Sequence, residues 1–127
     1  MTMKKRILLV DDEDEILSLY GEVLAEEGFE VLIAHDGAEG VKVAKQEKPD
    51  LVLMDLKMPV MDGMDAFMQI HDDPATRAIK VVFLTAFGDP EVVGADIKIS
   101  EEIGAAGYIR KGITLDELVK KVREYIR

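Results

Sequence analysis

The stretch Ile7-Leu8-Leu9-Val10-Asp11-Asp12 decides the architecture: four consecutive apolar residues, then two carboxylates. A short strand that is apolar at every position is buried on both faces, unlike the alternating strand of a half-wet sheet. Behind it, Ile16, Leu17, Tyr20, Val23 and Leu24 recur at helical spacing, and Gly28 stops the helix. The same unit then repeats along the chain. Phe29 to Ala34 predicts a second strand, and Ala38, Val41 and Ala44 mark a second helix ended by Lys48-Pro49. Leu51 to Met54 predicts a third strand, and Met64, Phe67 and Met68 a third helix ending near Asp73-Pro74. Val81 to Leu84 predicts a fourth strand, followed by a weaker fourth helix over 90–103, whose period Ile97 and Ile99 break. Tyr108-Ile109 falls in a short fifth strand. Leu115, Leu118, Val119, Val122 and Ile126 give a clean closing helix.

Five β-α units of this kind predict an α/β fold, a doubly wound five-stranded parallel sheet with helices on both faces. Ligands bind such sheets beyond the carboxyl ends of the strands, where the strand order switches. The residues at those ends are Asp11-Asp12, Asp55, Thr85-Ala86 and Lys111. Three carboxylates, a hydroxyl and an amine are therefore expected at one sheet edge. Like charges brought together need a counter-charge, and oxygen donors suit a hard divalent cation such as Mg2+. A metal there recruits a phosphoryl group, Lys111 adds a positive charge, and Thr85 offers a hydrogen-bond donor. A carboxylate in such a site can act as the nucleophile and become an aspartyl phosphate. Each residue also has a plainer reading on its own: Asp12 with Glu15 fits a helix capping box, and Asp62 a cap of the third helix. His35 and His71 read as surface residues, and the methionines as core filler.

Composition narrows the function classes. With 16 basic against 26 acidic side chains in 127 residues the net charge is −10, which disfavours a general grip on nucleic acid or an anionic membrane. The absence of Cys rules out disulfides, a thiol nucleophile and Cys-based metal sites. No apolar run approaches the ~18 residues of a membrane span. The run behind Lys4-Lys5-Arg6 is too short for a signal peptide. The expectation is a single soluble cytoplasmic domain over 1–127. The first loop, Asp11-Asp12-Glu13-Asp14-Glu15, has no glycine and repels anions, so phosphate-cradling nucleotide loops are absent. No Gly-x-Ser-x-Gly nucleophile elbow occurs.

The chain resembles the receiver domains of two-component response regulators along essentially its whole length. The stretches that carry the resemblance begin with Ile7 to Asp12 and Ala34-His35-Asp36-Gly37-Ala38-Glu39. They continue with Asp50 to Gly63, including Asp55-Leu56-Lys57-Met58-Pro59-Val60-Met61-Asp62-Gly63, then Leu84-Thr85-Ala86 and Gly104 to Lys111. The resemblance implies the flavodoxin-like (βα)5 strand order 2-1-3-4-5. It implies that Asp55 is the phosphoacceptor and that Asp11, Asp12 and Asp55, with the Lys57 carbonyl, hold Mg2+. It further implies that Thr85 and Lys111 contact the phosphoryl group and that Tyr108 is an aromatic switch coupled to Thr85. The implied donor is a phosphohistidine on a sensor histidine kinase or phosphotransfer protein, with small donors such as acetyl phosphate also used. The implied output is binding to a downstream protein, or a homodimer through the face of the fourth and fifth expected helices. Direct nucleic-acid binding and membrane attachment are not expected, nor is an output domain in this chain.

Two departures stand out. Lys111 is followed by Gly112 where the family usually has Pro, so a trans bond is expected here. The segment from Thr85 to Lys111 is about one helical turn longer than usual, with the extra length near Gly94 to Ser100, where loose packing or a short extra turn is expected. Lys57 and Phe87 each lie two residues past a site residue and are expected to rim the pocket, prolonging the life of the phosphoryl group. Competing classes are a phosphohydrolase with an aspartyl nucleophile and an interaction module with a vestigial site. The first commonly needs an Asp where Lys57 stands; the second is disfavoured by the presence of all five key residues.

Overall fold

Full burial of Ile7, Leu8, Leu9 and Val10 makes the first strand the centre of the molecule. The computed structural model describes residues 4–58, 60–85, 98, 101, 102 and 104–127. Its strands are β1 (Arg6–Val10), β2 (Glu30–Ala34), β3 (Leu51–Asp55), β4 (Lys80–Thr85) and β5 (Gly107–Arg110). Its helices are α1 (Asp14–Glu26), α2 (Gly37–Glu47), α3 (Gly63–Asp72) and α4 (Leu115–Ile126). The strands pair in parallel in the order β2-β1-β3-β4-β5, the doubly wound order expected.

Both sheet faces are covered, as the all-apolar strands require. Ile7, Leu9, Leu51, Leu53, Val82, Leu84 and Ile109 meet Leu17, Tyr20 and Leu24 of α1 and Leu118, Val122 and Ile126 of α4. The alternate residues Leu8, Val10, Val52, Met54, Val81 and Phe83 meet Val41 and Ala44 of α2 and Ala66, Phe67 and Ile70 of α3. At about 1.5–3 kcal/mol per fully buried large apolar side chain, these two layers are the main stabilising term. β2 is an edge strand, and only its last residue, Ala34, is fully covered.

Local signals set most boundaries. Asp36, Asp62 and Thr114 cap α2, α3 and α4, each accepting from the backbone N–H three residues on. Gly28, at φ +98°, turns the chain out of α1 in a conformation only glycine adopts freely. The capping-box reading of Asp12 is corrected: the N-cap of α1 is Glu13, with no side-chain cap bond. Asp12 is drawn instead into the carboxylate group described below. The expected fourth helix falls largely outside the described residues; within its span Lys98, Glu101 and Glu102 are helical. Gly94 to Ser100, apart from Lys98, also lies outside them.

Candidate functional site

Parallel register brings the strand ends to one edge. Val10 pairs with both Ala34 and Met54, so Asp11 and Asp12 leave β1 beside Asp55 at the end of β3. Asp55 pairs with Leu84 and Thr85 with Arg110, which puts Thr85 and Lys111 at the same edge. Backbone bonds tie the edge together: Leu56 N–H donates to the Leu84 carbonyl at 3.3 Å, and Lys111 N–H to the Thr85 carbonyl at 2.8 Å. Glycine fixes the approach of α3. A Cβ on Gly63 would collide with the Asp55 carbonyl oxygen, and Gly63 N–H donates to the Leu56 carbonyl at 2.9 Å.

The side chains converge as the strand ends predict. One carboxylate oxygen from each of Asp11, Asp12 and Asp55 lies within 4.8 Å of the others. Asp11 and Asp55 are buried and Asp12 is exposed, so the group opens to solvent on one side. Lys111 Nζ reaches over it, 2.7 Å from Asp11 Oδ2 and 3.4 Å from Asp55 Oδ2. Thr85 is buried beside them. Asp11 Oδ1 accepts from Glu13 N–H at 2.9 Å. Asp11 Oδ2 has the ionic contact with Lys111 but no aligned hydrogen-bond donor, which leaves a buried lone pair available.

Burial dominates the electrostatics. It pushes the Asp55 carboxyl up to about 6, helped by the Asp11 charge and opposed by Lys111 and the Lys57 backbone N–H. Asp11 is raised by burial too, with Lys111 opposing. For Lys111 burial alone favours the neutral amine, but Asp11, Asp55 and Glu13 together outweigh it and hold the ammonium form. Three carboxylates facing one ammonium form an oxygen-donor cluster short of positive charge, which fits a hard divalent cation.

Lys57 lies on the exposed surface just past Asp55, and Tyr108 is half-buried against the cluster that holds Met54 and Phe83. The Lys111–Gly112 bond is trans, as expected from the missing Pro, and Gly112 sits at φ +92°, which proline cannot adopt. Phe87 lies outside the described residues. His35 is exposed beside Glu39, and His71 stacks on Phe67 with ring centroids 5.3 Å apart; neither joins the site. Glu13 is the residue the sequence did not single out, with Oε2 3.8 Å from Lys111 Nζ. Its one signal was its type, since Glu is outside the set that favours an N-cap.

The family of the response regulator receiver domain matches residues 7–123. The chain belongs to that family. Among similar proteins, this receiver domain is 34% identical over 126 residues to sporulation initiation phosphotransferase F of Bacillus subtilis, covering 98% of this chain and 95% of that protein. It is 35% identical over 126 residues to the DNA-binding response regulator MtrA of Mycolicibacterium smegmatis, covering 99% of this chain but 52% of the relative. The chain thus spans about half the length of MtrA and nearly all of the phosphotransferase. Among solved structures, a CheY-like response regulator receiver domain protein of Methanospirillum hungatei aligns with TM-score 0.86 and 31% identity, covering 98% of this chain and 94% of that one. Chemotaxis protein CheY4 of Vibrio cholerae aligns with TM-score 0.85 and 25% identity, covering 97% and 99%. This receiver domain has no helix among its described residues long and apolar enough to cross a membrane.

Proposed function

We propose that this receiver domain of a two-component system is a Mg2+-dependent switch, phosphorylated on Asp55 by a phosphohistidine of a sensor histidine kinase or phosphotransfer protein. The observation that carries the reading is Lys111 Nζ seated between Asp11 and Asp55, over a carboxylate group that still lacks positive charge. Asp11, Asp12, Asp55 and the Lys57 carbonyl are the residues that would hold Mg2+. Bound there, the ion neutralises charge on the carboxylates and on the transferring phosphoryl group.

An Asp55 carboxylate oxygen attacks phosphorus in line, the O–P bond forms, and the P–N bond to the donor imidazole breaks with its electron pair leaving on the imidazole. Lys111, already desolvated, meets the new negative oxygens without having to shed water. The Thr85 hydroxyl donates to a phosphoryl oxygen, and Tyr108 turns inward as Thr85 moves. The acyl phosphate thereby biases the side of the sheet that carries β4 and β5. The domain catalyses only its own phosphorylation and dephosphorylation, and the Lys57 and Phe87 side chains slow the second. Its output is a protein contact with a downstream partner or a second copy of the chain, and its setting is the cytoplasm. The net charge of −10 favours a protein partner over nucleic acid.

Incubation with acetyl phosphate and Mg2+, followed by intact mass, tests the proposal. The mass of one phosphoryl group is gained with Mg2+ and not in EDTA; a protein that gains none under either condition would refute it.

A further inference from the structure

The start of α1 carries a side chain that the helix does not use. Glu13 occupies the N-cap at φ −90° and ψ 111°, yet its carboxylate makes no capping bond. Asp36, Asp62 and Thr114 hold the equivalent place in the other three described helices, and all of them cap. The backbone of Glu13 is already occupied. Its N–H donates to Asp11 Oδ1 at 2.9 Å, and its carbonyl accepts from Ile16 and Leu17 at 3.1 Å each. The carboxylate instead lies 3.8 Å from Lys111 Nζ, on a side chain 58% exposed. Lys111 therefore faces three carboxylates, Asp11 and Asp55 in the interior and Glu13 at the edge of the water.

A carboxylate in that place makes the mouth of the pocket more negative: four carboxylates against one amine leave −3, which a divalent cation reduces only to −1. A free donor that carries two negative charges must approach against that field. A phosphohistidine on a docked protein is brought in by contacts elsewhere on the surface and bears less of the penalty.

We propose that Glu13 is a specificity-determining residue for the phosphodonor: its carboxylate beside Lys111 disfavours free, doubly charged acyl phosphates relative to donors that bring less negative charge to the pocket. The inference rests on Asp55 being the phosphoacceptor. One partly screened charge at this range changes the rate by about threefold to tenfold at low salt.

The test compares wild type, Glu13→Gln and Glu13→Asp, with Mg2+, by the rate of intact-mass gain. Acetyl phosphate is the doubly charged donor and phosphoramidate the donor with one negative charge fewer. In the first the P–O bond to acetate breaks, and in the second the P–N bond to ammonia, as the Asp55 oxygen bonds to phosphorus. The expected result is that Glu13→Gln accelerates acetyl phosphate about threefold to tenfold and phosphoramidate by under about twofold. The gap between donors closes in about 0.5 M salt, and Glu13→Asp, which keeps the charge, stays near wild type. With no donor present, the Lys111 Cε resonances, assigned with Lys111→Arg, shift in Glu13→Gln if the side chains are in contact. Equal acceleration of both donors, no acceleration of either, or unmoved Lys111 resonances would overturn the proposal for Glu13 alone. A wild type that gains no mass from either donor overturns the phosphoacceptor assignment, and the role of Glu13 with it.

Discussion

Lys111 Nζ lies 2.7 Å from Asp11 Oδ2, and Asp11 is fully buried while Lys111 is nearly so. A buried pair of this kind adds little net stability when intact, but removing one partner strands a charge in a low-dielectric site. Lys111→Met is therefore expected to cost about 3 kcal/mol in EDTA, read from urea denaturation. Mg2+ should restore part of that loss, because a cation at the carboxylates supplies the missing counter-charge. A variant as stable as wild type in EDTA would show that the carboxylates do not depend on the amine.

Stability should fall as pH rises through the Asp55 transition. Asp55 is pushed up to about 6, first by burial and then by Asp11, whereas in the unfolded chain it ionises near ~3.9. Between those values the native protein keeps a proton that the unfolded chain has lost. The stability linked to that proton is complete below about pH 4 and is lost as pH rises through about 6. Asp11 shifts in the same direction. In EDTA, Asp55→Asn should be about 2 kcal/mol more stable than wild type at about pH 7.5, with the gap closing toward about pH 4. Denaturation midpoints across that range check it, and a gap that widens on acidification would contradict it.

Two helical glycines should respond in opposite ways to alanine. At Gly63 the new Cβ meets the Asp55 backbone carbonyl, which cannot move without moving Asp55 within the carboxylate group. Gly63→Ala is expected to lose about 2 kcal/mol or more and to slow phosphorylation. At Gly21 the new Cβ meets only Ile33 and Val31 methyl carbons at 4.0 Å, so helix propensity decides, and Gly21→Ala should gain about 0.5–1 kcal/mol. Urea midpoints of the two variants check the contrast.

Val60 holds φ +69° with 87% of its surface exposed, a left-handed backbone on a β-branched side chain that packs on little. Relief of that strain outweighs the extra freedom glycine gives the unfolded chain. Val60→Gly is expected to raise stability by about 0.5–1 kcal/mol, measured by urea denaturation. A loss of stability would mean that the Val60 side chain makes a contact worth more than its strain.

The parts legible in the sequence were those set by short-range rules. Four-residue apolar runs mark strands, helical spacing marks α1, α2, α3 and α4, and Gly28 and Asp62 mark ends that the structure keeps. Because the sheet is parallel, strand ends share an edge, so Asp11, Asp12, Asp55, Thr85 and Lys111 could be gathered without coordinates. The plainer reading of Asp12 as a cap fails because its carboxylate belongs to the acidic group, and the helix begins one residue later. Glu13 was invisible for a related reason. Its contact with Lys111 joins residues 98 positions apart and depends on side-chain reach, which no local pattern encodes. The left-handed backbone at Val60 likewise has no mark in its residue type.

The central claim is that Asp55 accepts the phosphoryl group. Borohydride reduces an aspartyl phosphate to homoserine, which peptide mass mapping locates to the residue. After treatment with acetyl phosphate and Mg2+, homoserine is expected at position 55 and nowhere else, with none in EDTA and none in Asp55→Asn. Homoserine at Asp11 or Asp12, or its persistence in Asp55→Asn, would contradict the account.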